Sequence, residues 1–313
     1  MANAFLFPGQ GSQKPGMGGD LYEQFPSAQA RFDEANDVLG FALSDFMLSD
    51  AEDAVEQLKR TEITQPALYV HSLAAMAVLG EKGLIPGMAA GHSLGEYSAL
   101  AASGAVSFAD GLRAVRRRGE LMAQAGVVRP GAMAAVLGLD ADALDQICAD
   151  ASEEGDVAVP ANYNAPGQIV ISGDSGAVDR ASAAAKEAGA RRVLPLPVGG
   201  AFHSPLMEFA VEGLGEALEA LEISTPRCPV YMNVTAQPTT DPAEIRQRLL
   251  DQLTSPVRWA QSLEKMCADG ASRFVEVGTG NVLSGLVKRT LGRETETEQA
   301  GTVVDIETIL VGV

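Results

Sequence analysis

The sequence predicts an α/β protein in which a mostly parallel sheet is interrupted by a smaller inserted unit. Three observations carry this prediction. Short apolar runs at residues 4–7, 88–90, 230–233 and 273–277 read as buried strands separated by long helical patterns. Between residues 131 and 198 the pattern changes to short strands and short helices in the order β-α-β-β-α-β. The stretch Gly91-His92-Ser93-Leu94-Gly95 joins an apolar run to the Ala/Leu-rich segment 96–102, a strand, a tight turn and a helix.

Composition sets outer bounds. With 313 residues, 46% hydrophobic and 20% charged, the chain can bury a large core. Asp and Glu total 41 against 23 Lys and Arg, a net charge of −18. That balance argues against non-specific binding to nucleic acid or to a membrane surface. No apolar run reads as long enough to span a bilayer, and the start Met1-Ala2-Asn3-Ala4-Phe5 lacks the basic region of a signal peptide. Cys148, Cys228 and Cys267 are scattered, odd in number and without metal-ligand spacing, so buried thiols in a reducing cytoplasm are expected.

In chain order, the first strand enters the loop Pro8-Gly9-Gln10-Gly11-Ser12. Such a loop presents backbone N–H groups, which makes Gln10 a candidate for half of an oxyanion hole. Helices follow at 27–39, 51–58 and 64–83, the last largely buried and carrying His71 in a structural role. The Gly91–Gly95 stretch fits the G-x-S-x-G nucleophile elbow, whose bend exposes the Ser93 hydroxyl. The helix that follows turns its N–H groups toward any developing oxyanion. On the helix expected at 108–125, Arg118 has Ala114 and Val115 on one side and Leu121 and Met122 on the other, so it lies on the apolar face. A buried arginine needs an anionic partner, either an internal carboxylate or a substrate carboxylate. Arg116 shares its face with Arg113 and Glu120 and is expected to be solvated.

The β-α-β-β-α-β segment reads as strands at 132–138, 157–162, 168–172 and 192–196 with helices at 140–152 and 175–188, a ferredoxin-like unit. It lacks the aromatic strand motif of RNA-binding relatives of that fold. Two of its features face a cleft in this reading: the turn Asn162-Tyr163-Asn164-Ala165-Pro166-Gly167-Gln168 and the pair Arg191-Arg192. Beyond it, a glycine pair leads through Phe202 to His203, and Pro205 opens a helix to about residue 222. Of three histidines, His71 is mid-helix and His92 is expected on the far side of the elbow strand. His203 is left as the general base able to approach Ser93. Helices at 242–253, 256–269 and 282–291 complete the pattern, and the acidic tail from Gly292 reads as partly loose.

Seven stretches stand out together: Phe7-Pro8-Gly9-Gln10-Gly11-Ser12-Gln13, Gly91-His92-Ser93-Leu94-Gly95-Glu96-Tyr97, Arg118-Gly119, Asn164-Ala165-Pro166-Gly167-Gln168, Phe202-His203, Gln252 and Glu276-Val277-Gly278-Thr279-Gly280. Together they resemble the malonyl-CoA:acyl-carrier-protein transacylases of fatty-acid synthesis and the related acyltransferase domains of polyketide synthases. The resemblance runs nearly the whole chain in order. It implies a hydrolase-like parallel-sheet large subdomain (1–128 and 199–313) with the ferredoxin-like subdomain inserted at 129–198. It implies Ser93 as nucleophile, His203 as base, the backbone carbonyl of Gln252 orienting the imidazole, and the N–H groups of Gln10 and Leu94 as oxyanion hole. Arg118 would clasp the malonyl carboxylate, Phe202 would disfavour an α-methyl, and Asn162, Asn164, Gln168, Arg191 and Arg192 would line the path of CoA. The implied partners are malonyl-CoA and acyl carrier protein, with no metal or redox cofactor, and a monomer is expected.

The competing readings are a polyketide-pathway acyltransferase, a serine thioesterase or esterase, and a non-catalytic carrier-docking module. Because CoA and carrier proteins are acidic like this chain, a basic patch at the cleft is expected from Arg116, Arg117, Arg191, Arg192, Lys288 and Arg289.

Overall fold

The computed structural model describes residues 2–311. In chain order its strands are β1 (Ala2–Phe7), β2 (Met88–Gly91), β3 (Ala132–Leu137), β4 (Ala158–Ala165), β5 (Gln168–Gly173), β6 (Arg192–Pro195), β7 (Val230–Tyr231), β8 (Pro238–Thr239), β9 (Ala271–Glu276) and β10 (Glu296–Gln299). They form a six-stranded sheet, β10-β9-β1-β2-β7-β8, and a four-stranded sheet, β4-β5-β3-β6. In the larger sheet every pair is parallel except β7–β8. Ala4 to Phe7 of β1 and all of β2 are buried, the continuous apolar run of a strand covered on both faces.

Adjacent parallel strands β1 and β2 pair up to Phe7 and Gly91, so the loops that follow them leave the same edge of the sheet side by side. One loop carries Gln10, the other Ser93. Crevices beyond the carboxyl ends of parallel strands are where α/β folds bind ligands.

The helix Thr61–Glu81 crosses the core under this edge. By length and a mean hydropathy of 1.2 it would suffice to span a membrane, contrary to the sequence reading, yet 89% of that stretch is buried within the fold. It also begins earlier than expected and carries Pro66 in its interior. Proline cannot donate to the carbonyl four residues back. Arg116 Nη1 donates to that Glu62 carbonyl instead, at 2.8 Å.

The smaller sheet is antiparallel throughout and follows the ferredoxin-like order, with helices Ala141–Ala151 and Ser175–Glu187 packed on one face. Its β4 edge is closed by the chain near Val257: Tyr163 N–H donates to the Val257 carbonyl at 2.9 Å, and Val257 N–H to Ala161 at 2.8 Å. This stitch holds Asn162 and Asn164 against the large sheet.

Two segments differ from the sequence reading. The helix expected from Pro205 is a 3-10 turn, Pro205–Ala210, followed by the α-helix Val211–Glu219. The tail from Gly292 is ordered as edge strand β10 and helix Val303–Val311. Its Glu298 finds a partner: Arg273 Nε donates to it at 2.7 Å across β9 and β10.

Candidate active site

The elbow is built by glycines. A Cβ at Gly91 would lie 1.8 Å from the carbonyl carbon and oxygen of Gly95, and one at Gly95 would lie 2.0 Å from the Phe7 carbonyl oxygen. No larger residue fits either place. The chain therefore turns sharply from β2 into helix Gly95–Ala102, with Ser93 at φ 52, in the left-handed region. The Ser93 N–H donates to Asn233 Oδ1 at 2.7 Å, and Asn233 Nδ2 donates to the Gly91 carbonyl at 2.7 Å. Asn233 thus pins the bend from both sides.

Ser93 Oγ lies 2.8 Å from His203 Nε2, and His203 Nδ1 lies 2.8 Å from the backbone oxygen of Gln252. A carbonyl oxygen only accepts, so Nδ1 carries the hydrogen and Nε2 presents its lone pair to the serine. His203 is 4% exposed, also with positive φ, at 57. Burial first, then the neighbouring Arg118 charge, hold its pKa down at about 3, so the imidazole is neutral.

Arg118, 1% exposed, reaches the same hydroxyl: Nη2 donates to Ser93 Oγ at 3.0 Å. The same nitrogen donates to Gln252 Oε1 at 2.8 Å, and Nη1 to Gln65 Oε1 at 2.6 Å. Its fork is held by glutamine oxygens, and among the described residues no carboxylate forms an ion pair with it. The Nε is buried with no partner among the described residues. The Tyr97 ring lies 5.8 Å from the guanidinium carbon.

A cavity of about 120 Å³ opens on these groups. It is lined by Gln10, Ser93, Leu94, Arg118, Asn162, Phe202 and His203, with Gln65, His92, Met122, Met133, Leu196 and Val198 completing the wall. The backbone N–H groups of Gln10 and Leu94 donate to no other group among the described residues.

The other sequence-derived residues sit elsewhere. Gln252 lies behind His203, fully buried. Asn164 Oδ1 is 2.7 Å from Nε2 of the His92 ring, and His92 contributes to the cavity wall. Trp259 packs at 5.4 Å from that ring. Gln168, Arg191 and Arg192 gather at one corner of the smaller sheet: Gln168 and Arg192 both pair with Leu137, and Arg191 N–H donates to the Leu137 carbonyl. Arg289 joins them, donating to Gln168 Oε1 at 2.9 Å. Of the cations expected in one basic patch, Arg116 and Arg117 pair with Glu120 on the arginine helix Phe108–Ala123. Arg116 is half-buried over the Phe41 ring rather than solvated.

Sequence reasoning missed Gln65, Glu96, Asn233 and the side chain of Gln252. Gln65 and Glu96 were visible as polar residues inside apolar helical runs, where a buried side chain must find partners. Glu96 receives the Asn233 backbone N–H on Oε1 at 2.5 Å and the Gln252 amide on Oε2 at 2.6 Å. Burial pushes it up to about 8, against the Asn233 N–H, Arg118 and Gln252. Asn233 carries no periodic signal of its own.

Residues 4–306 match the acyl transferase domain family. The malonyl CoA-acyl carrier protein transacylase of Bacillus subtilis is 50% identical over 286 residues, 91% of this chain and 89% of that protein. The corresponding protein of Haemophilus influenzae is 46% identical over 291 residues, 92% of each chain. The crystal structure of an acyl carrier protein S-malonyltransferase from Vibrio cholerae aligns at TM-score 0.93 and 43% identity, covering 99% of this chain and 100% of its own. A malonyl-transacylase in complex with a type II PKS acyl-carrier protein aligns at 0.94 and 40%, over 100% of both chains. With a Ser–His–Arg cluster at the mouth of its parallel sheet and these relatives along its length, the chain belongs to the acyl transferase domain family.

Proposed function

We propose that this enzyme moves a malonyl group from malonyl-CoA to the phosphopantetheine thiol of acyl carrier protein by way of a malonyl ester on Ser93. One observation carries the reading beyond a generic serine hydrolase. A buried guanidinium with no carboxylate of its own stands 3.0 Å from the hydroxyl that touches a neutral imidazole. Such a site is short of one anion next to the nucleophile, which is where the free carboxylate of a malonyl group lies.

His203 Nε2 takes the proton of Ser93 as the hydroxyl oxygen attacks the thioester carbon. The Leu94 and Gln10 N–H groups receive the oxyanion, and Arg118 holds the distal carboxylate. Collapse breaks the carbon–sulfur bond, and His203 returns its proton to the CoA sulfur. The carrier thiol then loses its proton to His203 and attacks the ester, and Ser93 leaves with that proton restored. Each half is a redox-neutral exchange, and no cofactor supplies or removes an electron. The Gln252 carbonyl keeps the imidazole in the required tautomer throughout.

The path of the pantetheine arm runs from Asn162 past Asn164 to the corner formed by Gln168, Arg191 and Arg192, where Arg289 adds charge for CoA phosphates. Phe202 closes the wall beside His203, and packing of that kind disfavours an extra methyl by about 1–3 kcal/mol. The product serves fatty-acid chain elongation. The relative bound to a type II PKS acyl-carrier protein supports a polyketide carrier as the second reading. Three free thiols support work in the reducing cytoplasm. Intact-protein mass spectrometry after mixing with malonyl-CoA tests the core of this reading. A gain of one malonyl group, absent in Ser93→Ala, is expected; free malonate with no transfer to a carrier thiol would make the enzyme a hydrolase.

A further inference from the structure

The mechanism just described leaves the buried acid nearest the site, Glu96, unused. Glu96, on the first turn of helix Gly95–Ala102, is 0% exposed and touches neither the cavity nor Arg118 directly. Its partners are two amides, the Asn233 backbone N–H at 2.5 Å and the Gln252 side chain at 2.6 Å. Each of these residues holds a reacting group. Asn233 Oδ1 accepts from the Ser93 N–H, and the Gln252 amide donates to the Ser93 carbonyl at 3.0 Å. Gln252 Oε1 accepts from Arg118 at 2.8 Å, and the Gln252 backbone oxygen accepts from His203. Three catalytic groups thus converge on one carboxyl through a single intervening residue each.

The direction of these bonds matters. A side-chain amide has a donor end and an acceptor end. The Gln252 NH2 faces Glu96, and this turns its oxygen toward Arg118. Reversed, the NH2 would face a guanidinium that can only donate, and Arg118 would lose a partner in a dry site. A carboxyl group offers acceptor lone pairs on both oxygens in either charge state; an amide at position 96 would set an NH2 against one of two N–H donors.

We infer that Glu96 is a positioning residue for malonyl selection: its carboxyl fixes the orientation of the Gln252 side-chain amide and anchors the backbone of Asn233, and through these two residues aims Arg118 and the Ser93 bend at a dicarboxylic acyl donor. The inference rests on the malonyl-transfer reading, and it assigns selectivity to a group that meets no substrate atom.

The test compares wild type, Glu96→Gln, Gln252→Met and the double variant, each confirmed folded by a cooperative melt. Formation of acyl-Ser93 from malonyl-CoA and from acetyl-CoA is timed by intact mass. Glu96→Gln is expected to slow malonyl transfer about 10- to 100-fold, and to shrink the malonyl-over-acetyl preference by a similar factor, the worth of one hydrogen bond to a charged group. Gln252→Met keeps the backbone carbonyl under His203 and is expected to lose the same preference, with the double variant no worse than either single one. A merely structural Glu96 would lower the melting temperature and leave the acyl preference untouched. That result overturns the inference, as do losses that multiply in the double variant. Where Glu96→Gln does not fold, an unchanged preference in Gln252→Met overturns it alone. Wild-type protein that takes up no malonyl group sinks the transfer reading itself; normal wild-type acylation with an unmoved preference in the variants sinks only the role of Glu96.

Discussion

Arg116 and Arg118 stand two residues apart on one helix and do opposite work. Arg118 faces inward, is 1% exposed, and ends on a serine hydroxyl and two glutamine oxygens. Arg116 faces sideways, pairs with Glu120, lies over Phe41 and repairs the carbonyl that Pro66 leaves open. The contrast teaches that a guanidinium becomes functional by what it lacks. Arg116 has its carboxylate and stabilises a fold; among the described residues Arg118 has none, and in the proposed reading it receives one from the substrate. A third group, Arg191 and Arg192 at the corner of the smaller sheet, is exposed and solvated, a place for long-range attraction rather than for holding one carboxylate.

Variants of these regions and of the catalytic pair break or sharpen this contrast. The largest effect belongs to the proposed base: His203→Ala should lower acyl-Ser93 formation about a hundred- to ten-thousand-fold, read by single-turnover mass spectrometry. The depressed pKa of the same imidazole has a sign that can be worked out. Its folded value is about 3 against an ordinary 6.5. Between those limits the unfolded chain binds the proton and the folded chain does not, so stability should fall as pH drops from 6.5 toward 3. Denaturant titrations across that window should show this slope reduced in His203→Ala.

Arg116→Ala should cost about 1 kcal/mol of stability, through the Glu62 carbonyl left without a partner. Malonyl transfer should be retained, and chemical denaturation alongside the transfer assay separates the two. The smallest effect is expected at the corner. Removing Arg191 and Arg192 together should raise KM for malonyl-CoA about two- to fivefold, the size of exposed charge contacts, and flatten its dependence on salt.

Much of the site was legible because it is written in backbone constraints. Gly91 and Gly95 announce the elbow, since a side chain at either would overlap the backbone, and the apolar neighbours of Arg118 announce its burial. What stayed hidden depends on distant packing. Nothing local marks Asn233 as the residue that pins Ser93, because the bond spans 140 positions. Edge strand β10 was masked by its acidic Thr/Glu alternation, which reads as solvated chain until Arg273 is placed beside it. Sequence also shows cations but not the carboxylates they have already found, as Arg116 and Arg117 have found Glu120.

The central claim is that Arg118 lies beside Ser93 in order to receive a carboxylate. Acyl transfer from malonyl-CoA and from acetyl-CoA, measured side by side in Arg118→Ala, tests it most directly. Malonyl transfer should fall about 10- to 100-fold, as for the loss of a charge-assisted bond, while acetyl transfer holds or rises. Equal losses with both donors would make Arg118 a structural prop and contradict the account.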